Sequence, residues 1–167
     1  MLFRSDYAGN WLFDHDAIAL DAEIGVNIHP YVPMFALFGQ YVKSDADDRA
    51  HGIPSRYGED DDTGYLIGAK IGHAKVKKFG DWQAKYNYRR LENDAWPDWL
   101  PDSDTYGGRT NIKGHEYEFT FGIHKNVYLA VDYYDTKPIH TDPVPPFGGL
   151  IKGRNEKVFQ GDLVLTW

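Results

Sequence analysis

The 167-residue chain contains no cysteine and only two methionines. Without thiols there is no disulfide framework, no thiolate metal site and no cysteine nucleophile. It also lacks any long uncharged apolar run, and its mean hydropathy is −0.56, which excludes a transmembrane helix. A transmembrane barrel is not excluded, because half of each of its strands faces water and average hydropathy carries almost no signal. Basic residues are the minority charge, 18 against 25 acidic, for a net charge of −7. That balance argues against a nucleic-acid partner, which normally meets a basic face. The first residues offer no charged, apolar and small-residue succession of an export signal. What the chain has in quantity is aromatic residues (16%) and glycine (17).

Helical periodicity is poor throughout, whereas alternation with a period of two recurs. Trp82, Ala84, Tyr86 and Tyr88 alternate with Gln83, Lys85, Asn87 and Arg89. Ile18, Leu20, Ala22, Ile24, Val26 and Ile28 share one face, as do Tyr117, Phe119, Phe121 and Ile123. Val127, Leu129, Val131 and Tyr133 form a further set, opposite Tyr128, Ala130, Asp132 and Tyr134. Phe159, Gly161, Leu163, Leu165 and Trp167 make the last one, and Tyr65, Ile67, Ala69 and Ile71 another. Residues 34–43 are apolar on both faces, which leaves their register open, and residues 2–12 alternate weakly through Phe3, Tyr7 and Trp11. The expectation is an all-β chain of about eight antiparallel strands in an up-and-down meander. The connections alternate between short links and long loops at about 45–62, 93–112 and 137–156, the polarity of an outer-membrane barrel.

The faces suggest which solvent is which. Long charged side chains on the polar faces, among glycine and alanine, suit a wet lumen. The apolar faces are flanked by Tyr31, Phe79, Trp82 and Trp167 toward the short turns, and by Tyr41, Tyr65, Tyr88 and Tyr133 toward the long loops. Tyr and Trp favour a membrane–water boundary, where one end of the ring system is apolar and the other can hydrogen-bond. Tyr31, Trp82, Tyr88, Tyr133 and Trp167 are therefore the expected membrane-interface residues. Lys70, Lys85, Arg89, Glu116, Glu118, Asp132 and Asp162 are the expected pore-lining residues, a basic arc facing an acidic one if the sheet curls.

The stretch from Gly80 to Glu92, followed by Asp102-Ser103-Asp104, Gly107-Gly108 and Lys113-Gly-His-Glu-Tyr-Glu-Phe119, resembles the bacterial putative-porin family of outer-membrane β-barrels. The segment Phe38–Lys43 and the strand after Gly68 are similar to it as well. The end of the chain, Phe159 to Trp167, is similar to the terminal signal that the barrel-assembly machinery reads by strand addition. The resemblance spans roughly residues 33–167, and the proline-bearing loop at 137–156 has no counterpart in it. It implies an outer-membrane channel for small polar solutes, bedded in outer-membrane lipid, with homo-oligomerisation left open. Members of the family are longer, so the chain reads as a single barrel domain or as the C-terminal part of a larger barrel. Two alternatives stand beside this: a small filled eight-strand barrel with a structural or adhesive role, and a soluble ligand-binding barrel.

No enzyme is expected. The acidic loop at 45–62 lacks calcium-loop spacing and reads as a solvated surface. Asp102-Ser103-Asp104 is ordinary turn chemistry. His73, His115 and His124 are not spaced as zinc ligands, and neither a nucleophile elbow nor a phosphate loop occurs, so no catalytic residue, metal or cofactor is assigned.

Overall fold

In the computed structural model, residues 16–29, 32–44, 61–96, 106–141 and 154–166 are described. They form one sheet of seven antiparallel strands whose spatial order is their order in the chain. The strands are β1 (Ala17–Val26), β2 (Met34–Ser44), β3 (Thr63–Gly72), β4 (Trp82–Leu91), β5 (Ile112–His124), β6 (Val127–Pro138) and β7 (Glu156–Leu165). β1 and β7 are the sheet's edges, and the sheet is not closed into a barrel by these strands. The alternating segments 2–12 (with Phe3, Tyr7 and Trp11), together with Tyr31 and Trp167, lie outside the described residues. So do the acidic stretch at 45–60 and Asp102-Ser103-Asp104.

The register keeps each face unmixed across the sheet. Leu20 opposes Tyr41, Tyr41 opposes Tyr65, Ile67 opposes Tyr88, Tyr86 opposes Tyr117, Tyr117 opposes Tyr133 and Tyr133 opposes Phe159. This settles β2, whose sequence left it open: Phe35, Leu37 and Tyr41 join the apolar face, and Ala36, Phe38 and Gln40 the polar one. Phe38 fits there because its ring lies over Gly68, where an added Cβ would come within 2.4 Å of it.

Burial is inverted relative to a soluble β domain. Ile18 and Ile24 are each 72% exposed, Ile67 62% and Leu163 59%, all on the apolar face. The buried residues include Ala36, Asn87, Thr120, Tyr134 and Thr136, all on the polar face. Side chains also cross that face between strands that are not neighbours. His140 Nε2, just past β6, lies 3.0 Å from Asp61 Oδ1, just before β3. Three strand spacings in a flat sheet would hold those positions about 14 Å apart. The sheet therefore curls around its polar face. Asp61 Oδ1 is held above the ordinary carboxylate value by burial, with His140 pulling the other way.

The short links are ordered by their own hydrogen bonds. In the link from β3 to β4, Asp81 is buried and its Oδ2 accepts from the backbone N–H groups of Lys77 and Lys78 at 3.0 and 3.1 Å. His73 Nδ1 accepts from the Trp82 N–H at 3.1 Å, which leaves Nε2 facing Asp81 at 3.4 Å. Burial alone would raise the Asp81 carboxyl, but these donors outweigh it and hold it below the ordinary value of 3.8. The link then docks against β5, with Gly80 N–H donating to Gly122 O at 3.1 Å and Gly122 N–H to Asp81 O at 2.8 Å. A Cβ at Gly122 would sit 2.1 Å from Lys78 O, a backbone atom that cannot step aside.

Gly122→Ala should accordingly destabilise the fold by about 1–3 kcal/mol, the usual cost of overpacking, measured by denaturant unfolding. Asp81 stabilises the folded state while ionised, so its contribution is present above pH 3.8 and lost as the pH falls through its lower folded value. Asp81→Asn should flatten that acid limb of the stability profile, and an unchanged limb would dissociate it from this turn.

Candidate functional site

The polar face carries the charged side chains that alternation assigns to it. Lys70 comes from β3, Lys85 and Arg89 from β4, Glu116 and Glu118 from β5, Asp132 from β6 and Asp162 from β7. Lys85 opposes Glu118, and Glu118 opposes Asp132, so the register itself brings these groups side by side. Lys85 Nζ lies 3.1 Å from Glu118 and 3.5 Å from Glu116, and Arg89 lies 3.7 Å from Glu116. Lys70 pairs at 2.7 Å with Glu23 of β1, reaching over β2. Lys85 and Arg89 thus abut Glu116 and Glu118 at the β4–β5 seam.

Asn87 anchors this seam. It is 1% exposed, its Nδ2 donates to Glu116 at 2.8 Å, and its Oδ1 has no hydrogen-bond partner. Glu116, Glu118 and Asp132 bring three carboxylate oxygens within 4.8 Å of one another, a set that could hold a divalent cation. The Lys85 ammonium already stands beside two of them, so the protein supplies its own cation there. Carboxylates still outnumber cations on this face, since Asp21, Glu23, Glu116, Glu118, Asp132 and Asp162 stand against Lys70, Lys85 and Arg89.

On the opposite face a band of rings runs from the long-loop end of β3 and β4 to the middle of β5 and β6. Tyr65 and Tyr88 have centroids 6.2 Å apart, Tyr88 and His115 5.2 Å, Tyr86 and Tyr117 5.1 Å, and Tyr117 and Tyr133 6.2 Å. His115 sits in this band, with Nδ1 2.9 Å from the Tyr86 hydroxyl. Trp82 marks the short-turn end, opposite Phe121, whose ring meets the exposed Phe79 edge-on at 6.0 Å. Of the aromatic residues expected at an interface, Trp82, Tyr88 and Tyr133 therefore lie on the apolar face, Trp82 at its short-turn end, Tyr88 toward the long loops and Tyr133 in mid-strand.

At their long-loop ends neighbouring strands are tied together by the bases of the loops. Thr110 Oγ1 donates to Asn93 O at 2.9 Å, and Asn111 exchanges hydrogen bonds with the backbone of His140 at 3.0 and 3.1 Å. Glu92 accepts from the N–H and hydroxyl of Thr63 and from Arg90 at 3.0 Å. Burial opposes its ionisation, but these donors hold the carboxyl below its ordinary value of 4.5. Neither Asn87 nor the Asp61–His140 contact is visible in the sequence, the first because burial depends on neighbours and the second because 79 residues separate its members.

A family model described as putative porin matches residues 1–147. The match includes the weakly alternating segment 2–12 and stops short of β7. No curated protein and no solved structure matches the chain.

Lys85→Met should leave Glu116, Glu118 and Asp132 without their shared cation and cost roughly 1–3 kcal/mol in urea unfolding. Adding Glu118→Gln to it should recover part of that loss, and millimolar Ca²⁺ should stabilise the single variant more than the parent. Additive effects in the double mutant would show that the pair is not coupled.

Proposed function

Since the chain belongs to the putative porin family, we propose that its sheet is the wall of a transmembrane β-barrel in the bacterial outer membrane, a channel for passive diffusion of small polar solutes. The observation that carries this is the inversion of the two faces, with aliphatic side chains outward and amide, hydroxyl and charged groups inward. A soluble protein would leave that contiguous apolar surface in water, at roughly 1.5–3 kcal/mol for each large side chain left unburied. The strands are 10–13 residues long, enough to cross a hydrocarbon layer that takes about 9–11 tilted residues. In lipid no strand edge stays open, so β1 and β7 are closed off by further strands, about eight in all within one chain or more in a larger barrel.

In this reading Lys70, Lys85, Arg89, Glu116, Glu118, Asp132 and Asp162 line the lumen. Trp82, Tyr88 and Tyr133, together with Tyr31 and Trp167, sit at the membrane boundaries. The terminal strand β7 is the element handed to the barrel-assembly machinery, and outer-membrane lipid is the constant partner. Nothing in a porin calls for bond-making chemistry, in keeping with the absence of a catalytic pattern in the sequence. A second reading, a small barrel with a filled interior and a structural or adhesive role, draws support from the neighbour-to-neighbour ion pairs and from the Asp61–His140 contact across the mouth. Pairs of this kind plug a narrow lumen, whereas about 16 strands are needed for an aqueous channel.

Reconstitution of the chain in planar bilayers separates the two: discrete conductance steps support the channel, and a silent but inserted protein supports the filled barrel. Under a KCl gradient the surplus carboxylates should give a cation-selective reversal potential. Glu118→Lys with Asp162→Lys should move it toward the anion side, and an unmoved potential would take these groups out of the lumen. A protein that stays monodisperse without detergent would end both membrane readings.

A further inference from the structure

Three cations stand in a row on the apolar face, in register with Tyr65 and one residue pair beyond Tyr88 and His115. Arg90 of β4 opposes Lys113 of β5, and Lys113 opposes Lys137 of β6. Directly opposed side chains on a sheet have Cβ atoms about 4.5–5.5 Å apart, and like charges so placed destabilise the pair. Lys70 and Lys85 are opposed in the same way, but each of them has a carboxylate beside it. Lys43, Lys70, Lys85, Arg89, Arg90 and Lys157 each have a carboxylate within 4.0 Å, whereas Lys113 and Lys137 have none among the described residues. The nearest acids are committed: Glu92 holds Arg90 and Thr63, and Asp135 pairs with Lys157 at 3.5 Å on the far side of β6.

The place of the row says what could neutralise it. Along their strands Arg90 and Lys113 lie two residues beyond Tyr88 and His115, and Lys137 four beyond Tyr133, which at about 3.4 Å per residue is roughly 7–14 Å past the rings. If the ring band marks the hydrocarbon boundary, that distance reaches the headgroup layer on the long-loop side. The side chains face lipid there, not the lumen. We propose that Arg90, Lys113 and Lys137 form a docking surface for the phosphate of a membrane-lipid headgroup, which supplies the negative charge the sheet itself withholds. This rests on the membrane reading above.

The test uses the purified chain in zwitterionic detergent, titrated with phosphatidic acid, with phosphatidylcholine or with inorganic phosphate, and read by thermal unfolding. Phosphatidic acid should raise the Tm of the parent, and phosphatidylcholine and inorganic phosphate at equal concentration should not. In Lys113→Gln and Lys137→Gln the apparent affinity for phosphatidic acid should fall about fivefold for each lysine removed, the usual weight of one lysine near an anionic lipid. Without lipid neither variant should melt below the parent, since each removes a repulsion. Equal stabilisation of parent and variants, an equal response to inorganic phosphate, or no response in a protein that does insert into bilayers would overturn the docking surface alone. A parent that needs no detergent would remove the membrane reading with it.

Discussion

A period of two, carried without a slip through most of six strand pairings, decides what each side chain in this sheet can meet. A shift of one residue in any pairing would move that strand's whole apolar set to the other face. The shift that does occur lies between Gly122 and His124, at the very end of β5, where a two-residue link begins and nothing downstream inherits the error. Because the register holds, Ile24, Leu37, Ala69, Tyr86, Tyr117, Tyr133 and Phe159 lie in continuous rows, and so do the charges behind them. The aromatic band and the ion pairs at the β4–β5 seam are consequences of the same alignment.

The polar face shows how charges are kept tolerable when water is scarce. Lys85 is shared by two carboxylates, Arg89 leans on one of them, and Asn87 gives a neutral donor to the same oxygen set. Each group is then stabilised by several partners, and removing one leaves the others exposed to the full penalty of desolvation. The turn between β3 and β4 solves a smaller version of the problem, with backbone N–H groups in place of side chains around Asp81.

Much of this architecture is legible in the sequence because alternation is a local property. The faces of β4, β5, β6 and β7 could be listed residue by residue, and the charged members of the polar face with them. β2 resisted, since Phe38 is apolar yet inward, and the reason lies thirty residues away in the missing side chain of Gly68. Partner choice resisted for the same cause. Lys70 reaches Glu23 across an intervening strand, and the consecutive Arg89 and Arg90 go to opposite faces with different acids. The opposition of Lys113 to Lys137 needs a register, which neither segment encodes alone. The family match then joins these local features to a class of protein, and it covers the segment before β1 that alternation marked only faintly.

The number of strands has a consequence of parity. In a meander every strand reverses the one before it, so with seven strands β1 and β7 run in the same direction. Their free edges cannot be joined by antiparallel hydrogen bonding, however far the sheet curls. The same holds for a ring of identical seven-strand sheets all inserted the same way, since each seam would again set β7 against a β1 pointing with it. A wall made wholly of antiparallel pairs therefore takes an odd number of additional strands per sheet, whether from residues outside those described or from another chain. One strand suffices, and it would turn a sheet with two like-directed edges into one whose edges are complementary.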